Sequence, residues 1–281
     1  MTIFKPISKV WVITSKYAYM QTIQDLARLE YFWYSQGEFP IEKFLKVYES
    51  LIRKYPLFSD KNSVFRARKA GKIVGRLMFW RVNEKTIHFT MMFQGSEEQI
   101  LALYRSNGSE IPQNVNNKFS RLEITTYELC KHMRSSRDKN GEKSINSIPS
   151  WTWQYKAGDL QSLRDRLLDS IGRNHNEEVY RVIANLAYAP GFAGVRAQVI
   201  ETHAIAKRCW ANKYGVKSIL KIPPVLYLRR IKQKGLFLTQ EILLKERRIR
   251  QESALCKLSR ENEEEVQMYK LITSMIYSED V

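Results

Sequence analysis

The sequence predicts an α+β fold, with an N-terminal antiparallel sheet and flanking helices followed by a mostly helical C-terminal region. Three observations predict it. Over residues 64–93, β-rich runs are separated by two short turns, the pattern of a meander. From Asp159 onward, apolar residues recur at helical spacing. Between these parts, residues 135–150 (SSRDKNGEKSINSIPS) are polar and almost free of large apolar side chains, which reads as a long loop or linker. The expected division is an α+β domain over 1–155, containing the linker-like loop 135–150, and a helical basic domain over 156–281.

Taken in order, residues 9–15 (KVWVITS) suit a strand. Residues 17–34 turn helical, with Met20, Ile23, Leu26, Ala27 and Phe32 near a 3.6 period, until Gly37 and Pro40 break the pattern. A second helix is expected over 41–55, ended by Pro56. Runs 64–69 and 72–81 flank a Lys-Ala-Gly-Lys turn, and 86–93 (TIHFTMMF) returns after the turn at 82–85. A short helix over 97–104, a loop over 111–118, a strand within 121–130 and a short strand over 151–155 complete the first part. Helices follow over 159–171, 177–188 and 192–214. Ile222-Pro223-Pro224 is a stiff break, and Thr239 is placed to cap a last helix running to Met275.

The charge is the unusual quantity. There are 46 Lys and Arg against 29 Asp and Glu, a formal +17, with a pI near 9.7. Self-repulsion of this size works against compaction, and a polyanionic partner is the usual reason to keep it. Residues 1–150 hold 24 basic and 14 acidic residues and 151–281 hold 22 and 15, so the excess is no detachable tail. Cys130, Cys209 and Cys256 are far apart and odd in number, which predicts neither a disulfide framework nor a metal site. No secretory leader pattern and no run of about 18 apolar residues is present, so a cytoplasmic protein without a membrane partner is expected.

The densest basic stretch is 203–240. It holds Lys207, Arg208, Lys213, Lys217, Lys221, Arg229, Arg230, Lys232 and Lys234 and no acid. Such cations require counterions, whose release favours nucleic-acid binding. Trp210, Tyr214, Tyr227 and Phe237 are interleaved, with Trp210 and Tyr227 the candidates for base stacking; the alternative is a solvated face whose aromatics are core. A second cluster holds Arg66, Arg68, Lys69, Lys72, Arg76 and Arg81. In strands, Arg66 and Arg68 would point the same way, and so would the even positions Lys72, Arg76 and Trp80, giving one basic sheet face as a platform or a charge-protected edge hairpin. A third, Lys131, His132, Arg134, Arg137, Lys139 and Lys143, lies in the loop region.

No catalytic set stands out. His88, His132, His175 and His203 are not at metal-ligand spacing, and no nucleophile elbow or Walker loop is present, so neither metal nor cofactor is expected. Gly191 and Gly194 at a helix start suit either a phosphate contact or a tight helix turn. A rolling-circle initiator or relaxase would need two histidines on one strand and a tyrosine on a helix. Here 86–93 offers His88 with Thr90 in the second position, and Tyr17 and Tyr19 lie on a helix. Arg196, His203 and Tyr214 match no recombinase spacing.

The segments PSWTWQY (149–155), APGFAGVRAQV (189–199) and IPPVLYLRRIKQKG (222–235) resemble proteins carried by bacterial integrative elements and plasmids. The likeness covers the C-terminal half. That group has no assigned activity, so the resemblance implies only a DNA-directed role in replication, transfer or maintenance of a mobile element. The expectation is therefore a protein binding DNA, or RNA, through Arg66, Arg68, Lys72, Arg76, Lys207, Arg208, Trp210, Lys213, Tyr227, Arg229, Arg230 and Lys232. A degenerate initiator- or relaxase-like nuclease is the first alternative. A protein-protein adaptor using the last helix, with its partial stripe of Ile242, Ile249, Leu255 and Leu258, is the second.

Overall fold

The computed structural model describes residues 10–58, 60–134, 148–225 and 235–238. The chain is α+β. Strand β1 (Val10–Ile13) leads into helix α1 (Lys16–Arg28), whose N-cap Ser15 accepts from the Ala18 amide. The helix stops at Arg28, earlier than expected, and Trp33–Pro40 forms strand β2 instead. Gly37, which reads as a breaker, is what lets β2 lie in the sheet: a Cβ there would meet the Phe89 ring at 2.8 Å. A 3-10 turn (Ile41–Lys43) opens helix α2 (Phe44–Lys54).

The strand expected over 64–69 is a helix, α3 (Lys61–Lys69). Asp60 Oδ1 caps its start by accepting from the Ser63 amide at 2.7 Å. Gly71, at φ 63°, ends it: the Lys72 amide donates to Ala67 O and the Gly71 amide to Arg68 O, the Schellman pattern. The Lys-Ala-Gly-Lys segment is thus a helix terminus, not a hairpin turn. Strands β3 (Val74–Arg81) and β4 (Thr86–Gln94) form the expected hairpin, and helix α4 (Glu97–Ser106) starts at a capping box of Ser96 and Gln99. Short strands β5 (Gln113–Asn114) and β6 (Glu123–Ile124) precede the hairpin of β7 (Tyr127–Arg134) and β8 (Ile148–Tyr155). The loop expected over 135–150 joins these two strands; its residues 135–147 lie outside the described ones. Helices α5 (Ala157–Gly172), α6 (Asn176–Ala187) and α7 (Ala193–Tyr214) follow as expected, then strand β9 (Gly235–Leu238). The expected last helix lies outside the described residues.

The strands form two sheets, β5-β2-β4-β3-β1-β9 and β6-β7-β8. The first is antiparallel except where β1 meets β3, and β9 returns from the far end of the sequence to pair with β1. One face of this sheet packs on α2 through Phe79, Ile87, Phe39 and Phe44. The other packs on α1, and one apolar cluster runs from there through β7 and β8 into α5, α6 and α7. The outer edge of β8 is closed by side-chain amides. Gln24 Nε2 on α1 donates to Trp151 O at 2.9 Å, and Gln198 on α7 accepts from Tyr155 N (2.7 Å) and donates to Tyr155 O (3.2 Å).

Candidate nucleic-acid interface

Val64 and Ala67 turn α3 inward, so its cations face out. Arg66, Arg68, Lys69 and Lys72 are all exposed, and so is Lys61 at the helix start. Arg66 and Arg68 do not share a strand face; two residues apart on a helix, they diverge by about 200°. Arg68 lies over the Tyr31 ring, 5.4 Å from its centroid, while Lys61, Arg66, Lys69 and Lys72 make no ion pair with a described residue. Cations at the C-terminal end of a helix also complement its dipole, which is one reason they sit here.

The basic sheet platform is not present. Val74, Met78 and Trp80 are buried in the main cluster on one face of β3, and Phe79 and half-buried Leu77 are covered on the other. Arg76 is half-buried and its Nη1 donates to Phe58 O at 2.8 Å, tying β3 to the segment before α3. A strand with both faces covered offers no surface to a polyanion.

The α7 block divides into exposed and structural residues. Val195, Val199, Thr202, His203, Ala206 and Trp210 are buried, leaving Lys207 and Arg208 on the outer side. Lys217 and Lys221 are exposed in the segment that follows, where Leu220 anchors the chain. Trp210 is only 7% exposed; it packs on Tyr214 and Tyr180 and its Nε1 donates to Ser218 Oγ at 3.0 Å, so its ring is core and cannot stack on a base. The Lys213 ammonium donates to Ile171 O (2.6 Å) and to Gly172 O, closing the C-terminus of α5. Tyr227, Arg229, Arg230 and Lys232 lie outside the described residues. Gly194 also has a packing role: its amide donates to Thr152 Oγ1 at 3.0 Å, and a Cβ would meet Trp153 O at 2.5 Å.

The tyrosine-histidine pair considered for strand transfer does meet. The Tyr19 hydroxyl donates to Thr90 Oγ1 at 2.7 Å and stands 3.1 Å from His88 Nδ1. Trp80 packs against both rings. All three polar residues are buried. Burial raises the Tyr19 hydroxyl pKa and pushes His88 down to about 4, so the imidazole is neutral at neutral pH. An enclosed, protonated phenol presents no nucleophile to a phosphodiester. Among the described residues no group of three His, Cys, Asp or Glu could hold a metal ion. Cys130 is buried, donates to Thr152 O and has its thiol pKa pushed up to about 12.

A cleft of about 880 Å³ between α5 and α6 contains Arg166 and Arg181, but both pair with Glu178, which leaves little positive potential for an anion. Among the described residues no helix is long and apolar enough to cross a membrane. Sequence reasoning passed over Lys61 and the helical nature of its surroundings; Asp60, three residues before Ser63, and Gly71 were the signals that would have framed α3. No protein-family model, no curated protein and no solved structure matches the chain.

Proposed function

We propose that the chain binds nucleic acid, DNA in the first instance, mainly through its phosphates. The supporting observation is the exposure, without acidic partners among the described residues, of Arg66 and Lys69 on α3 and Lys72 just beyond it, and of Lys207 and Arg208 on α7 and Lys217 and Lys221 in the segment after it. Exposed cations held apart from carboxylates keep their counterions, and releasing these to bulk on binding a polyanion is favourable. Arg229, Arg230 and Lys232 continue the second block in the sequence. The likeness to mobile-element proteins adds a role in replication, transfer or maintenance.

The test is binding of labelled duplex DNA, single-stranded DNA and RNA across a salt series, with the strands then run on a denaturing gel. About six phosphate contacts would cost roughly a thousandfold in affinity between 50 and 200 mM salt. The double variant K207E/R208E flattens that slope. Absence of binding at low salt removes the proposal, and cleaved strands replace it with the nuclease reading.

A further inference from the structure

The basic face of α3 carries an aromatic ring that the core does not use. Phe65 and Lys69 fall on the side of the helix away from Val64 and Ala67, with Lys61 and Arg68 bordering that side, and Phe65 is 67% exposed. A second bare ring, Phe119, lies in the connection between β5 and β6. It is 86% exposed, with the Lys118 ammonium 4.8 Å from its centroid.

Separate contacts and chain neighbours lead from one to the other, over Tyr31 and Trp151 rings that are themselves core. Arg68 covers Tyr31, and Tyr31 is followed in the chain by Phe32, whose ring lies 6.0 Å from Trp151. The Lys131 ammonium sits over both of those rings, at 5.3 and 5.0 Å, and donates to Asn116 Oδ1 at 2.7 Å. Asn116 leads along the chain to Lys118 and Phe119. Glu30, beside Tyr31, borders the line in sequence, and Asp60 is occupied as the helix cap.

A single exposed Phe on a protein surface needs no explanation. Two such rings, each flanked by cations and with further cation-on-ring contacts between them, form the alternation that serves unpaired bases. Phosphates meet the ammonium and guanidinium groups while base faces meet the rings. A duplex offers its phosphates to the same cations but keeps its base faces stacked inside. We infer that this line from α3 to the β5–β6 connection is a track for single-stranded nucleic acid, with Phe65 and Phe119 as its stacking platforms and Arg68, Lys69, Lys118 and Lys131 along its backbone path. This rests on the nucleic-acid reading above and specifies the form of the ligand.

The experiment compares the full chain with F65A, F119A and the double variant, using fluorescein-labelled oligothymidine and a duplex of equal length in anisotropy titrations at fixed salt. Both side chains are exposed, so the variants keep their fold, which circular dichroism and urea midpoints verify. Each substitution is expected to weaken oligothymidine binding by about 5- to 100-fold, the range of one lost base–aromatic stack. Duplex affinity should change less than twofold and the salt slope should stay the same, because no phosphate contact is removed. A wild-type protein that binds DNA while the double variant binds oligothymidine equally well overturns the track and leaves the nucleic-acid reading standing. Equal losses on both probes also overturn it. A wild-type protein that binds neither probe overturns both.

Discussion

Replacing His88 tests the buried polar cluster at the centre of the sheet. With its folded pKa lowered to about 4 against 6.5 in an unfolded chain, His88 takes up a proton first in the unfolded state. The unfolded state therefore binds more protons below pH 6.5, and stability falls as the pH falls. The contribution is present in full above about pH 6.5, shrinks by about 1.4 kcal/mol per pH unit, and is gone near pH 4, a total of about 3 kcal/mol. Asparagine at this position keeps a polar atom for the Tyr19 hydroxyl and cannot titrate. Urea unfolding of wild type and H88N from pH 7.5 to 4.5 should give two curves that approach each other by about 2–3 kcal/mol over that range. His203, whose pKa burial also lowers, and the carboxylates titrate in both proteins and cancel in the difference. Parallel curves would refute the reasoning, because a His88 open to solvent would titrate alike folded and unfolded.

Two further substitutions address packing. G194A puts a Cβ against the Trp153 carbonyl and should destabilise the protein by about 1–3 kcal/mol, read from the urea midpoint; an unchanged midpoint would mean that α7 does not rest on β8 at this point. K213M leaves the last carbonyls of α5 without their ammonium partner and should cost about 1 kcal/mol of stability. It should leave the salt dependence of DNA binding as it was, in contrast to K207E/R208E; a flattened slope in K213M would return Lys213 to the phosphate contacts.

Where hydrophobic period and punctuation agree, the sequence was readable: β3 and β4 with their turn, α4 behind Ser96, and the three helices α5 to α7. Strand β2 was not, because Gly37 and Pro40 are local signals for a break, and their compatibility with a strand depends on the Phe89 ring, 52 residues away in the chain. Helix α3 was misread for a different reason. Phe65-Arg66-Ala67-Arg68 alternates like a strand, and the competing signals, Asp60 and Gly71, stand outside the run. That error also placed the basic residues on a sheet face that is in fact core. The surface cations at Lys207 and Arg208 were legible from charge alone, since exposure is the ordinary state of an unpaired cation. Trp210 and Lys213 were not, because the partner of Trp210, Ser218, is set by the return of the chain after α7, and those of Lys213, Ile171 and Gly172, by the packing of α5 against α7.

Strand β8 ends its sheet against two glutamines, one on α1 and one on α7, instead of another strand. These contacts span 127 residues in one direction and 43 in the other. As the chain leaves the ribosome, α1 already exists when the β7–β8 hairpin appears, but Gln198 has yet to be made. For that interval the Tyr155 amide and carbonyl are open to pairing with a neighbouring chain. Slow translation between residues 155 and 198 should therefore raise the yield of insoluble product without altering any surface residue of the finished protein.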